Sequence, residues 1–365
     1  MNQKSTFSKT MLAVALAITG CLATNGQEKS QSPDWLQDIS SRIKLHGYAQ
    51  AGYTYSHKGG TNTNTFDLKR SIFWAEARIT DRWSFRFMYD FSSVVQEFYT
   101  DYRLTKNNAL TVRFGQFKKG LSLENPLSPT VMEAIDVYSE GVSFLAGCGS
   151  DPLMGRQFGR DLGLSFFGET NNKKFAYELD VLNGQGINKK DGNKFKDIIA
   201  RIEYRPMTGL NFVATGQIGR GHSVAEADLT KGKPGSIYNP TIAYGQDYKR
   251  HRCTIGADYK SKAIKVHGEY LNGWDGDAHS WGAYVTGAIP LGTPKLELVT
   301  SYDFFNFNTS LGMDQHKAIG GLQYWFFKRC RLQVQYVYKS AYTTDTQFVH
   351  GANHGIMCQM QVRFN

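Results

Sequence analysis

Cysteine is scarce and unpatterned in this chain: five in 365 residues, with no Cys-x-x-Cys pair and no zinc-like spacing. A thiol redox centre and a structural zinc site are thereby excluded as organising features. Proline is also rare, at nine, and no low-complexity tract occurs, which argues against a disordered or multi-linker chain. Beyond the N-terminus no run approaches the length of apolar sequence needed for a transmembrane helix. There is no Gly-x-Ser-x-Gly elbow, no His-Glu-x-x-His and no phosphate-cradling glycine loop, so no enzyme, cofactor or metal is expected. His350 and His354 have a metal-like spacing but read as solvated loop histidines, and Glu133, Asp136 and Glu140 as a solvated loop face. His267, between Lys265 and Glu269, reads as lining and not as a base.

Basic residues exceed acidic ones by ten. No recognition helix or RNA-binding motif accompanies them, so nucleic acid is not an expected partner. Mean hydropathy is −0.42, a value shared by soluble proteins and by barrels whose strands alternate lipid-facing and water-facing residues. What the chain has in quantity is aromatics: 20 Tyr, 23 Phe and 6 Trp, suited to interfacial girdles.

Residues 1–26 read as a secretory signal, with Lys4 and Lys9 ahead of the short apolar run Met11–Ile18 and small residues before Gln27. Ile18-Thr19-Gly20-Cys21 offers a competing cut, a lipobox that would place a lipid on Cys21. Removing 1–26 leaves 40 bases against 32 acids. Residues 27–42 are then a polar periplasmic segment, and 43–365 a single β-domain.

Period-two alternation runs through that domain. At its clearest, Trp83, Phe85, Phe87, Tyr89 and Phe91 share one face, and Ser84, Arg86, Met88 and Asp90 the other. Sixteen such segments follow one another, from Ile43–Ser56 to Gly355–Phe364, with connections alternately short and long. Short turns on one side and long loops on the other are the pattern of outer-membrane barrels. The expected fold is all-β, a 16-stranded antiparallel transmembrane barrel; a soluble sandwich fits the meander less well.

One connection stands apart. Lys118–Phe158 contains three prolines and lies between neighbouring strands, and a structureless loop of about 40 residues is usually functional. It is expected to carry one helical turn at Thr130–Tyr138, to enter the barrel as its third long loop, and to narrow the channel. Alternation puts nine bases on the inward rows: Arg86, Arg103, Arg113, Arg201, Arg252, Lys265, Arg331, Lys339 and Arg363. Eleven acids share those rows, so the interior is no basic tube, and Arg113 is expected to pair with Asp101 or Glu97.

Several short motifs, in order, resemble the phosphate-selective porin O and P family. They are Arg113-Phe114-Gly115-Gln116-Phe117-Lys118 followed by Gly120-Leu121 and Leu123-Glu124, then Phe158-Gly159-Arg160-Asp161-Leu162-Gly163, Leu182-Asn183-Gly184, Arg201-Ile202-Glu203-Tyr204-Arg205-Pro206 and the terminal Gln361-Val362-Arg363-Phe364. The resemblance implies a homotrimeric porin in outer-membrane lipid. Its water-filled channel would pass small hydrophilic solutes, inorganic anions such as phosphate among them. It also implies an inward third loop and a basic pair on the second strand, which Lys69-Arg70 match. The expected anion-binding lining is therefore Lys69, Arg70, Arg86, Arg103, Arg113, Lys119, Arg201 and Arg252. The competing reading is a loop-plugged barrel with a surface-interaction or structural role.

Overall fold

Strict alternation of apolar and polar side chains gives each strand two faces that cannot share one environment. The computed structural model describes residues 41–224, 237–340, 342–343 and 348–364, so the expected signal and nearly all of the segment after it lie outside the described residues. Within the unit Ile43–Asn365 the strands close into one barrel. The first half comprises β1 (Ile43–Lys58), β2 (Thr61–Arg78), β3 (Trp83–Asp90), β4 (Val95–Arg103), β5 (Thr111–Lys118), β6 (Arg160–Glu169), β7 (Phe175–Leu182) and β8 (Asp197–Met207). The second comprises β9 (Leu210–His222), β10 (Asp247–Lys260), β11 (Lys265–Asp275), β12 (Ala278–Pro290), β13 (Leu296–Asn306), β14 (Asp314–Phe327), β15 (Cys330–Lys339) and β16 (Asn353–Phe364). All sixteen pair antiparallel with their chain neighbours, and β16 returns to β1 from Gly47–Phe364 to Lys58–Asn353.

Burial is inverted relative to a water-soluble core. Ile202 is 59% exposed and Ile255 63%, while Arg201, Arg252, Asp303 and Gln361 on the opposite rows are buried. An outward apolar wall around a polar interior is stable against hydrocarbon, because every strand's backbone groups are paired within the closed sheet.

The seam between first and last strands depends on one missing side chain. Phe364 lies over Gly47 so closely that a Cβ there would sit 2.5 Å from its Cζ, and the ring also tilts against Phe73 at 6.2 Å. Gly47→Val should therefore impair barrel closure, as should Phe364→Ala by leaving the seam unfilled. Heat-modifiable migration in gel electrophoresis reads both, and unchanged migration would remove the seam's role.

The helical turn expected at Thr130–Tyr138 is absent. Its backbone is committed elsewhere: Ile135 N–H donates to Gln335 Oε1 at 2.9 Å, while the carbonyls of Met132, Glu133 and Thr130 accept from Arg331, Gln333 and Gln361. Those bonds displace the i→i−4 ladder. The helix instead is α1 (Glu140–Leu145), capped by the Ser139 hydroxyl accepting from Val142 N–H.

Candidate functional site

The segment between β5 and β6 is fastened to inward side chains of one part of the wall. Gly120 N–H donates to Asp180 on β7 at 2.9 Å, and Arg201 on β8 donates to the Ser122 carbonyl at 2.6 Å. On β11, Glu269 accepts from the Ser122 hydroxyl at 2.8 Å and from Leu123 N–H at 2.9 Å. Glu124 faces His267 at 3.1 Å and accepts from Ser139 N–H. Asp303 on β13 accepts from Glu140 N–H at 2.6 Å. Val142, Leu145 and Leu121 complete the attachment by packing with Leu271, Tyr284 and Phe305. Each such hydrogen bond adds only about 1 kcal/mol net, but removing a buried acceptor such as Glu269 orphans its donors at about 1–3 kcal/mol.

Acids counted as channel lining are thus anchors. Asp180, Glu269 and Asp303 hold loop N–H groups and hydroxyls, and Glu133, expected on a solvated loop face, is buried with its carboxylate 3.7 Å from His267. Glu140 caps the arrangement, 2.7 Å from Lys339 and 3.1 Å from Lys317. Burial alone would raise its pKa, but the two ammonium groups outweigh it and hold it down at about 2, below its ordinary 4.5. A depressed carboxyl stabilises above its unfolded pKa and loses that contribution as pH falls through the folded value. The Glu140 ion pairs with Lys317 and Lys339 should therefore persist to about pH 4 and loosen toward about pH 2. Single-channel conductance should rise over that window, and Glu140→Gln should show the raised value already at pH 7.

Three cavities lie along β1–β8, each sharing lining residues with its neighbour. The loop-side cavity, about 390 Å³, is lined by Lys69, Arg70, Lys118, Arg156 and Arg160, with Asp90, Asp136 and Tyr138. The middle cavity, about 290 Å³, shares Tyr48, Lys118, Pro129 and Arg160 with it and adds Arg86, Arg113, Arg363, Glu97 and Glu178. The turn-side cavity, about 440 Å³, shares Glu178 with the middle one and carries Arg82, Arg103, Arg201 and Arg205 against Asp101, Glu169 and Glu203.

Lys69 and Arg70 both line the path because of a register shift. Gln50 pairs with Arg70 but Ala51 pairs with Leu68, so Lys69 is the extra residue of a β-bulge. Arg70 is held by a neutral relay: it donates to Gln50 at 3.0 Å, Gln50 donates to Gln361 at 2.8 Å, and Gln361 donates to the Thr130 carbonyl at 3.2 Å. Arg113 forms a bidentate pair with Asp101 at 2.7 and 2.9 Å and lies over Tyr99 at 3.9 Å. Gly115 permits that stack, because at φ 134° it passes so near β4 that a Cβ would lie 2.2 Å from the Phe98 carbonyl. Arg86 is bracketed by Glu76 and Glu97, and Arg103 lines the turn-side cavity with no ion pair among the described residues.

Two expected residues are not on the path. Lys119 is 1% exposed and donates to Gln157 at 3.1 Å; burial lowers its pKa to about 8. Arg252 is bonded to both Asp275 oxygens, at 2.8 and 2.9 Å, and to the Leu145 carbonyl, so it supports α1. Arg201 divides its guanidinium between Glu203 and the loop carbonyls while still touching the turn-side cavity. Lys118, Arg156 and Arg160 were missed as lining. Lys118 and Arg160 are direct register partners on β5 and β6, so bases at the two ends of one loop had to converge.

Neither a family model nor a curated protein sequence matches this chain. Solved structures do. The chain is similar to the anion-selective porin from Comamonas acidovorans, with TM-score 0.63 and 13% identity over 88% of this chain and 99% of that one. OprB of Pseudomonas putida aligns with TM-score 0.62 and 10% identity, covering 93% and 100%. The outer membrane channel DcaP of Acinetobacter baumannii aligns with TM-score 0.58 and 14% identity, covering 88% and 97%. The fold is the porin barrel. On it, the β5–β6 segment is bonded to inward side chains of β7, β8, β11 and β13, and the charged cavities lie along β1–β8.

Proposed function

We propose that this protein is an exported outer-membrane porin whose water-filled channel passes small hydrophilic solutes and favours anions. The β5–β6 segment forms its constriction. The observation that carries the charge preference is a sorting of partners. Lys69, Arg70, Arg156 and Arg363 line the loop-side and middle cavities, and none has an ion pair among the described residues. Their holders are neutral: Gln50 for Arg70, the Ser93 hydroxyl for Arg156, the Thr130 hydroxyl for Arg363. Uncancelled charge in a low-dielectric constriction acts on ions more strongly than the same charge in water.

The Comamonas porin's anion selectivity supports this reading, and membership in the O and P family with homotrimeric assembly goes with it on the motifs around Arg113 and Arg160. Reconstitution into a planar bilayer should give ohmic single-channel steps. A barrel that inserts and gives none would be the loop-plugged alternative.

A further inference from the structure

The outward face of β8, β9 and β10 changes character toward its loop end. Ile198 pairs with Ile218, and farther down Ile202 and Ile255 flank Ala214, all four isoleucines exposed as the wall's apolar face requires. Two residues nearer the loops the same face carries Lys196, Arg220 and Lys249. Arg220 and Lys249 are direct register partners, both exposed, and neither has an ion pair among the described residues. Like charges placed directly opposite each other in an antiparallel pair destabilise it.

The charges around this pair are arranged differently. The next pair toward the loops, His222 with Asp247, is complementary at 2.7 Å, and Lys196 is paired with Asp191. Farther round the wall His316 and His354 are each met by a tyrosine hydroxyl, Tyr302 at 2.7 Å and Tyr336 at 2.6 Å. Arg220 is also oriented, with its guanidinium carbon 4.0 Å from the centre of the Phe195 ring, a contact that leaves its charge uncancelled. An anion between the two strands would relieve the repulsion, and Arg suits a phosphate by its planar fork of donors. The place of the pair selects the kind of anion. Directly beneath it Ile218 is 59% exposed, in one row with His251 and Trp274, so a phosphate held here has an apolar wall running away from it.

We propose that Arg220 and Lys249 form a headgroup site for a phosphate-bearing lipid of the loop-side leaflet. The phosphate oxygens meet the guanidinium of Arg220 and the ammonium of Lys249, and the acyl chains run down over Ile218 and Ile255. This assignment rests on the outer-membrane reading, which puts lipid against this face, but it does not require conduction.

Native mass spectrometry of the full-length barrel in a neutral detergent reads the affinity for added lipid. The probes are phosphatidic acid, phosphatidylcholine and inorganic phosphate. Phosphatidic acid should bind about tenfold or more tightly than phosphatidylcholine, the order that two bases beside an anionic headgroup supply. Arg220→Gln with Lys249→Gln should remove most of that preference. Lys262→Gln with Lys295→Gln, which takes the same charge from exposed turns at the other end of the barrel, should leave it intact. Heat-modifiable migration checks the folding of each variant, and the wild-type ratio stands without them. Equal affinities in the wild type, an unchanged preference without Arg220 and Lys249, or the same loss in the turn variant would overturn the site. Displacement of phosphatidic acid by equimolar inorganic phosphate would overturn it too, in favour of a site for free anions. Every arm reads the same in a conducting and in a plugged barrel, so a bilayer without ohmic steps would overturn the porin reading alone.

Discussion

Deleting Val131–Ser139 should raise single-channel conductance about twofold or more, because ion flux in a porin is set at its narrowest cross-section. Pro129, Asp136 and Tyr138 border the loop-side cavity from the segment's side, so removing the stretch between Thr130 and Glu140 withdraws that border. The wall should survive. All sixteen strand pairings are made outside the deleted stretch, and the Asp180, Glu269 and Arg201 anchors act on Gly120–Leu123, ahead of it. The deletion does orphan Gln333 and Gln335, which donate to the Glu133 carbonyl at 2.9 and 2.7 Å, but water entering the widened lumen can replace that acceptor. Wild-type conductance in a folded deletion variant would mean the segment does not set the narrowest point.

The second large effect concerns charge. Lys69→Gln with Arg70→Gln should move the reversal potential strongly toward cation preference. Arg113→Gln should move it far less. All three bases line the path, but Arg113 is cancelled by Asp101 at 2.7 Å whereas Arg70 rests on Gln50 and Lys69 has no ion pair among the described residues. Replacing Arg113 removes one positive charge where the double variant removes two, and its site lies at Tyr99, beyond the loop-side cavity that Lys69 and Arg70 line. The difference should shrink between 0.1 and 1 M salt, as the screening length falls from about 10 to about 3 Å. Equal shifts from both variants at low salt would show that pairing and position do not govern selectivity.

The barrel was legible in the sequence because period-two alternation is local and repeated. Trp83-Ser84-Phe85-Arg86-Phe87 needs no partner to declare two faces, and β1 and β16 begin and end within two residues of their expected limits. The site was legible only in part, since alternation tells which way a side chain points and not what it meets there. Arg252 and Arg86 both point inward, yet one is spent on Asp275 and Leu145 while the other borders open space. The count of nine inward bases against eleven acids says nothing of pairing: the loop takes up Asp180, Glu269 and Asp303, while Arg86, Arg113 and Arg201 keep acid partners of their own. Lys119 follows Lys118 by one residue, and one residue separates a buried amine from a channel wall. No local pattern marks the bulge at Lys69 or the choice of α1 over Thr130–Tyr138, since both are decided by partners more than a hundred residues away or across a strand pair.

The central claim is that bases without acid partners govern a water-filled passage. Its most direct test is the reversal potential of the wild-type barrel across a potassium chloride gradient in a planar bilayer. Ohmic steps and a potential with the sign of chloride preference, largest at low salt, are the expected result. Steps with a potential of the opposite sign, or of zero, would contradict it.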